Sequence, residues 1–139
     1  MGHTVRCIEY FHVTVKDLPG ESWGVLAHLA DAGVNLLAFN AVPVGSTVAQ
    51  LTLFPEDPAP LVAFASRTGL RLSGQARALL IQGDDEVGAL VDVHRRLADA
   101  RVNVYASNAV AVGGGRYGYV IHVRADEFDA AASLLGAQK

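Results

Sequence analysis

The chain has 139 residues, 51% of them hydrophobic and 18% charged, with a net charge of −3. That is material for one domain or for two small ones of about 60–70 residues, and the slight negative charge with no basic cluster argues against nucleic acid or an anionic membrane surface as a partner. Cys7 is the single cysteine, so no disulfide forms within the chain; no stretch reaches the roughly 20 apolar residues of a membrane span, and a cytoplasmic protein is expected.

In chain order, Thr4 to Lys16 is rich in β-branched and aromatic residues and predicts a strand. Asp17-Leu18-Pro19-Gly20 breaks it, and Ser22, Trp23, Leu26, Leu29 and Ala30 recur at helical spacing, which predicts a helix over 20–32 closed by Gly33. Leu36–Val44 and Val48–Phe54 read as a hairpin around Gly45-Ser46-Thr47. Asp57-Pro58 carries an N-cap and a first-turn proline, so a second helix is expected to Thr68, followed by a short closing strand over 69–73. The first unit is therefore β-α-β-β-α-β over residues 4–74, a ferredoxin-like order.

The plan then recurs. Residues 29–45 (LADAGVNLLAFNAVPVG) and 97–113 (LADARVNVYASNAVAVG) differ at five of seventeen positions, leaving twelve identical at an offset of 68. A repeat of this length marks one supersecondary unit built twice. The second unit, residues 75–139, is expected to hold a strand over 77–82, a turn at Gly83-Asp84-Asp85, a helix to Ala100, strands over 104–112 and 117–124, and a helix over 126–135. Only Gly136-Ala137-Gln138-Lys139 remain after it, too short and polar for a closing strand. Natural sheets rarely leave such an edge open, so Thr4–Glu9 is expected to pair there, from the same chain or from a partner.

A strand, then D-x-P-G, then a helix ending L-A-D-A-G-V-N, then a hairpin, all of it twice, resembles the ACT domain. The resemblance covers essentially the whole chain as a tandem pair, and is similar to stand-alone proteins made of two such domains. It implies an α+β fold of two ferredoxin-like βαββαβ units side by side, with antiparallel sheets and helices on one face, typically as one eight-stranded sheet. It also implies a non-catalytic, allosteric role: a small effector, usually an amino acid, sits where the first strand-to-helix loop of one unit meets the start of the second strand of the other. The implied partners are an amino acid or related metabolite and an enzyme of amino-acid metabolism, with a homodimer as the expected assembly and no cofactor or metal.

Carried over position by position, the resemblance assigns ligand contacts to Asp17, Leu18, Gly20, Asn35, Leu36 and Leu37 in the first unit. In the second it assigns Asp85, Gly88, Asn103, Val104 and Tyr105. The chemistry suits a zwitterion: free N–H groups at a helix start accept a carboxylate, a nearby Asp takes an ammonium group, and an Asn amide offers both donor and acceptor. Asp17 is equally explained as a helix cap, Asn35 and Asn103 as turn residues, and Tyr105 as ordinary strand packing. The second unit departs from the pattern: Val87 stands in place of the proline and Arg101 in place of the capping glycine, and its loop carries Asp84, Asp85 and Glu86 in a row. Three carboxylates repel an incoming α-carboxylate, so the first loop is expected to be the better amino-acid site, and the second to be degenerate or to prefer a cation.

Two other readings remain. One is a ligand-free interaction or oligomerisation module. The other is a glyoxalase-type metal enzyme on paired βαββ units, with His12 and His122 as ligands and Glu9 as a distant third. No pair of histidines has a recognised metal spacing. His94 stands on the helix face where the first unit has Leu26, and a hydrogen-bonding neighbour is expected for it. Gly113-Gly114-Gly115-Arg116 joins two strands and lacks the Lys-Ser/Thr ending of a phosphate loop, so a hairpin tip is expected.

Overall fold

In the computed structural model, residues 2–138 are described. The elements are β1 (His3–Lys16), α1 (Glu21–Asp31), β2 (Leu36–Val44), β3 (Val48–Pro55), α2 (Pro58–Thr68), β4 (Ser73–Asp84), α3 (Val91–Asp99), β5 (Val104–Gly113), β6 (Arg116–Val123) and α4 (Phe128–Leu135), the last preceded by a 3₁₀ turn at Ala125–Glu127. The strands hydrogen-bond in the order β2-β3-β1-β4-β6-β5 as an antiparallel sheet. This is the α+β, ferredoxin-like class expected from the repeat, but with six strands where the resemblance implied eight.

Contacts divide the chain into two compact units, one of residues 9–76 and the other of residues 77–138 with the N-terminal segment up to residue 8. The missing strands are explained by β1 and β4, which are long enough to serve both. Residues 9–16 of β1 belong to the first unit and its earlier residues to the second, while β4 contributes 73–76 to the first and 77–84 to the second.

This corrects the expected closing strand over 69–73. Residues 69–72 are not strand; Leu70 and Leu72 pack on the core of the first unit, and β4 starts only at Ser73. No turn residue then interrupts 73–84, so the strand expected over 77–82 is the middle of a longer one. The open edge is covered from within the chain. β4 lies beside β1, and the Gly83 Cα approaches so closely that an added Cβ would lie 2.9 Å from the His3 Cβ and 2.8 Å from the Tyr117 ring. The polar tail takes part as well: Gln138 bridges β1, its N–H donating to the Val5 carbonyl at 2.8 Å and its carbonyl accepting from the Cys7 N–H at 2.7 Å.

The core of residues 9–76 is Phe11, Val13, Leu29, Val34, Leu51, Leu53 and Leu61, drawn from alternate strand positions and one face of each helix. In the second unit β6 buries Tyr117, Tyr119, Ile121 and Val123 at strict alternation, against Leu79, Ile81, Val93, Leu97 and Phe128. His94 has the neighbour its position required: its Nε2 shares a hydrogen bond of 2.5 Å with the hydroxyl of the buried Tyr119. Asp57 caps α2 as expected, its side chain accepting from the Ala59 N–H at 3.1 Å.

Helix α3 begins later than its counterpart, at Val91, after turns in which the Ala89 and Val91 N–H groups donate to the Glu86 and Gly88 carbonyls. At its far end the repeat keeps its backbone where the side chain has changed. Val34 and Val102 donate to the Leu29 and Leu97 carbonyls, both at 2.9 Å, and the residue before each is left-handed: Gly33 at φ 78° and Arg101 at φ 60°. Arg101 is the one non-glycine residue at positive φ among the described residues, a conformation costing a residue with a Cβ about 1–2 kcal/mol. Arg101→Gly is expected to raise stability by about 0.5–1 kcal/mol after the added entropy of the unfolded chain, a few degrees in Tm. A thermal melt with no rise would show that the Arg101 side chain contributes as much as its backbone costs.

Candidate functional site

The strand-to-helix loops of the two units are built alike. The Asp17 N–H donates to the Thr47 carbonyl at 2.9 Å, and the Asp85 N–H donates to the Gly115 carbonyl at 2.8 Å, so each loop is tied to the tip of its own hairpin. Gly20 and Gly88, both left-handed at φ 87° and 76°, turn the chain towards the helix that follows. Gly20 itself is the N-cap of α1, and no side chain caps that helix. Asp17 is therefore not spent as a cap. Its exposed carboxylate makes no hydrogen bond or ion pair among the described residues, and Leu18 beside it is 59% exposed.

The other predicted residues open the second strands. Asn35 is exposed, and its carbonyl accepts from the Glu56 N–H at 2.8 Å, which fits the turn reading of its backbone and leaves the amide in solvent. Leu36 pairs with Pro55 and Ala38 with Phe54, which makes Leu37 the extra residue of a bulge. Val104 pairs with Val123 and Ala106 with His122, so Tyr105 is the bulged residue of the second unit. Bulges re-aim side chains; Tyr105 is 56% exposed, its ring 6.1 Å from that of His122, rather than packed in the core. Asn103 is exposed and Val104 half-buried against the core.

Within each unit the fold separates these two groups. Lys16 pairs with Val48 and Leu36 with Pro55, seven residues apart on β3, or about 24 Å along the strand. Asp84 pairs with Arg116 and Val104 with Val123, seven residues apart on β6. Asp17 and Asn35 of one unit thus lie at opposite ends of its sheet, as do Asp85 and Asn103, and no single small ligand touches both members of either pair.

A cavity of about 390 Å³ lies at the second loop, lined by Asp85, Glu86, Gly88, Ala89, Leu90 and Val91, by Ala109–Ala111 of β5, and by Tyr117. Asp85 and Gly88 were expected at a site; Asn103, Val104 and Tyr105 do not line this one. The β5 wall was missed by sequence reasoning, although Ala109, Val110 and the following small residue fall within the repeat, opposite Tyr119, Gly118 and Tyr117 in the sheet register. Tyr117 is 6% exposed, and burial pushes its hydroxyl pKa up, against the opposing pull of Arg116 and with Asp84 and Glu86 adding to the rise. Arg116 is itself engaged, its guanidinium donating to Asp84 at 2.9 Å.

The fold relates the chain to solved structures. It is similar to protein BT0572 of Bacteroides thetaiotaomicron, with a TM-score of 0.80 at 17% identity over 95% of this chain and 88% of that one. It is also similar to the regulatory subunit of aspartate kinase from Thermus thermophilus in its ligand-free form, with a TM-score of 0.62 at 16% identity over 98% and 95%. The corresponding subunit from Thermus flavus superposes with a TM-score of 0.56 at 14% identity over 98% and 95%. The fold is ACT-like. No protein-family model and no curated protein matches the sequence.

Among the described residues no group of three or more His, Cys, Asp and Glu side chains is placed to hold a metal ion. His12 instead shares a hydrogen bond of 3.1 Å between its Nδ1 and the hydroxyl of Thr52, a buried side chain. No described helix is long and apolar enough to cross a membrane.

Proposed function

We propose that this chain is a non-catalytic regulatory protein that binds an amino acid or a related small metabolite at its strand-to-helix loops and acts on a partner enzyme of amino-acid metabolism, as a homodimer. The observation that carries the reading is the duplicated loop: the same hairpin anchor, the same left-handed glycine and the same Asp in both units, within a fold shared with aspartate kinase regulatory subunits. Asp17 supports it further, since an exposed carboxylate with no structural partner beside an uncapped helix start is available for an ammonium group. The candidate contacts in the first unit are Asp17, Leu18 and Gly20 at one end of its sheet and Asn35, Leu36 and Leu37 at the other. Asp85 and Gly88, and Asn103, Val104 and Tyr105, are their counterparts.

A ligand regulates by its differential affinity for one arrangement of the protein, and about 1–3 kcal/mol of coupling is ordinary. The test is thermal unfolding against the twenty amino acids at millimolar concentration. A ligand at one hundred times its dissociation constant, binding only the folded state, stabilises by about 2.7 kcal/mol, a shift of several degrees. Asp17→Ala is expected to abolish most of the shift while leaving the unliganded Tm unchanged. No shift with any amino acid would favour the ligand-free interaction module instead, a reading to which the exposed Trp23 (75%) and Val87 (106%) lend weight.

A further inference from the structure

The two loops differ in charge. The first reads Lys16-Asp17-Leu18, one cation beside one anion, and the matching positions of the second read Asp84-Asp85-Glu86. Arg116 neutralises Asp84. Asp85 and Glu86, both exposed on the cavity wall, have no ion pair or side-chain hydrogen bond among the described residues, and no residue lining the cavity is cationic. A ligand carboxylate placed here meets two like charges, and the nearest cation, Arg116, is already paired with Asp84.

The rest of the cavity points the same way. Leu90, Val91 and Val110 make its wall apolar. Tyr117, which is over nine-tenths buried and lines the cavity, has a hydroxyl with no hydrogen-bonding partner among the described residues. Since no buried side-chain polar atom among those residues lacks a partner, that hydroxyl is reached by solvent. Its counterpart in sheet register is Ala49, which pairs with Val15 as Tyr117 pairs with Gly83, so this feature is absent from the first loop. A volume of about 390 Å³ suits a small molecule.

We infer that this cavity binds a small primary amine with an apolar body and no carboxylate. Its ammonium group donates to Asp85 and Glu86 and to the Tyr117 hydroxyl oxygen, and its body lies against Leu90, Val91 and Val110. The inference rests on the small-molecule reading above and narrows it: the two loops take different ligand classes, a zwitterion at Asp17 and an amine here.

The test uses the full chain in calorimetric titrations at neutral pH with probes that share a body and differ in charge. These are 3-methylbutylamine, leucine and 3-methylbutanoate, and 2-phenylethylamine beside phenylalanine. At least one amine is expected to bind ten-fold or more tightly than its amino acid, with no binding of the acid. Asp85→Asn with Glu86→Gln, exposed isosteric changes that leave the unliganded melt in place, should weaken the amine at least ten-fold. Tyr117→Phe should weaken it several-fold, and Asp17→Ala should not affect it. Amine binding that survives the double variant overturns the proposal. Binding of an amino acid that is lost in Asp17→Ala, with no amine bound, overturns this inference and keeps the broader reading. No binding by any probe overturns this inference, and the broader reading is then decided by the melts against the twenty amino acids.

Discussion

A chain lacking residues 2–8 is expected to melt at least 10 °C lower and to aggregate as it does so. Those residues are not a loose leader but the strand that covers β4, whose buried Leu79 and Ile81 sit in the same core as Val5, itself 3% exposed. Removing Val5 alone forfeits about 1.5–3 kcal/mol of burial. The two hydrogen bonds between Gln138 and the backbone of Val5 and Cys7 go with it, at about 0.5–1.5 kcal/mol each. The loss is therefore at least about 2.5 kcal/mol, at roughly 4–8 °C per kcal/mol for a unit of this size. The bared β4 then offers a row of unpaired backbone groups to other chains. Circular dichroism melts with light scattering read both effects; an unchanged Tm without scattering would mean that the N-terminal strand is dispensable. Residues 9–76 keep their own core and should still show native secondary structure below the transition.

Phe128→Ala is expected to be nearly as severe. Phe128 opens α4, is 2% exposed, and fills the core between that helix and β4 and β6, with the Arg77 guanidinium 4.2 Å above its ring. Large-to-small changes of a buried Phe cost about 3–5 kcal/mol because the cavity collapses only in part, and the lost cation–π contact adds about 0.5–2 kcal/mol. A fall in Tm on the order of 10 °C or more should follow. The control is Asp129→Asn, which breaks only the pair between Arg77 and the largely exposed Asp129 and should change stability by less than about 1 kcal/mol. Equal effects from the two variants would place the stabilisation in the ion pair and not in the packing of the ring.

Much of this is legible in the amino-acid sequence. Helix ends were written in single residues, Asp57 and Pro58 at one and Gly33 at another, because caps depend on φ and on hydrogen bonds within a few residues; Gly69, expected to open a strand, is instead the left-handed cap of α2. The hairpins were legible from alternation and from Gly45 and Gly113, and the duplication from twelve shared residues. Whether Asp17 caps the first helix was not: an Asp before Pro-Gly suits a cap, and only the left-handed Gly20 at the N-cap, with no side chain bonded to the helix start, shows that it is not one.

The sequence by itself determined the helices, the two hairpins and the twofold plan, since each of these is set by neighbours along the chain. Tertiary structure alone decided how many strands there are and what they serve. Nothing in the composition of residues 73–84 says that one strand closes one unit and opens the next, because a strand's edge partners are chosen by sheet pairing far away in sequence. The same holds for the cavity at Asp85, where Val91 of a helix, Ala109–Ala111 of one strand and Tyr117 of another meet. Each is unremarkable along the chain, and they meet because β5 and β6 pair and the hairpin tip is tied to the loop by the hydrogen bond from the Asp85 N–H to the Gly115 carbonyl.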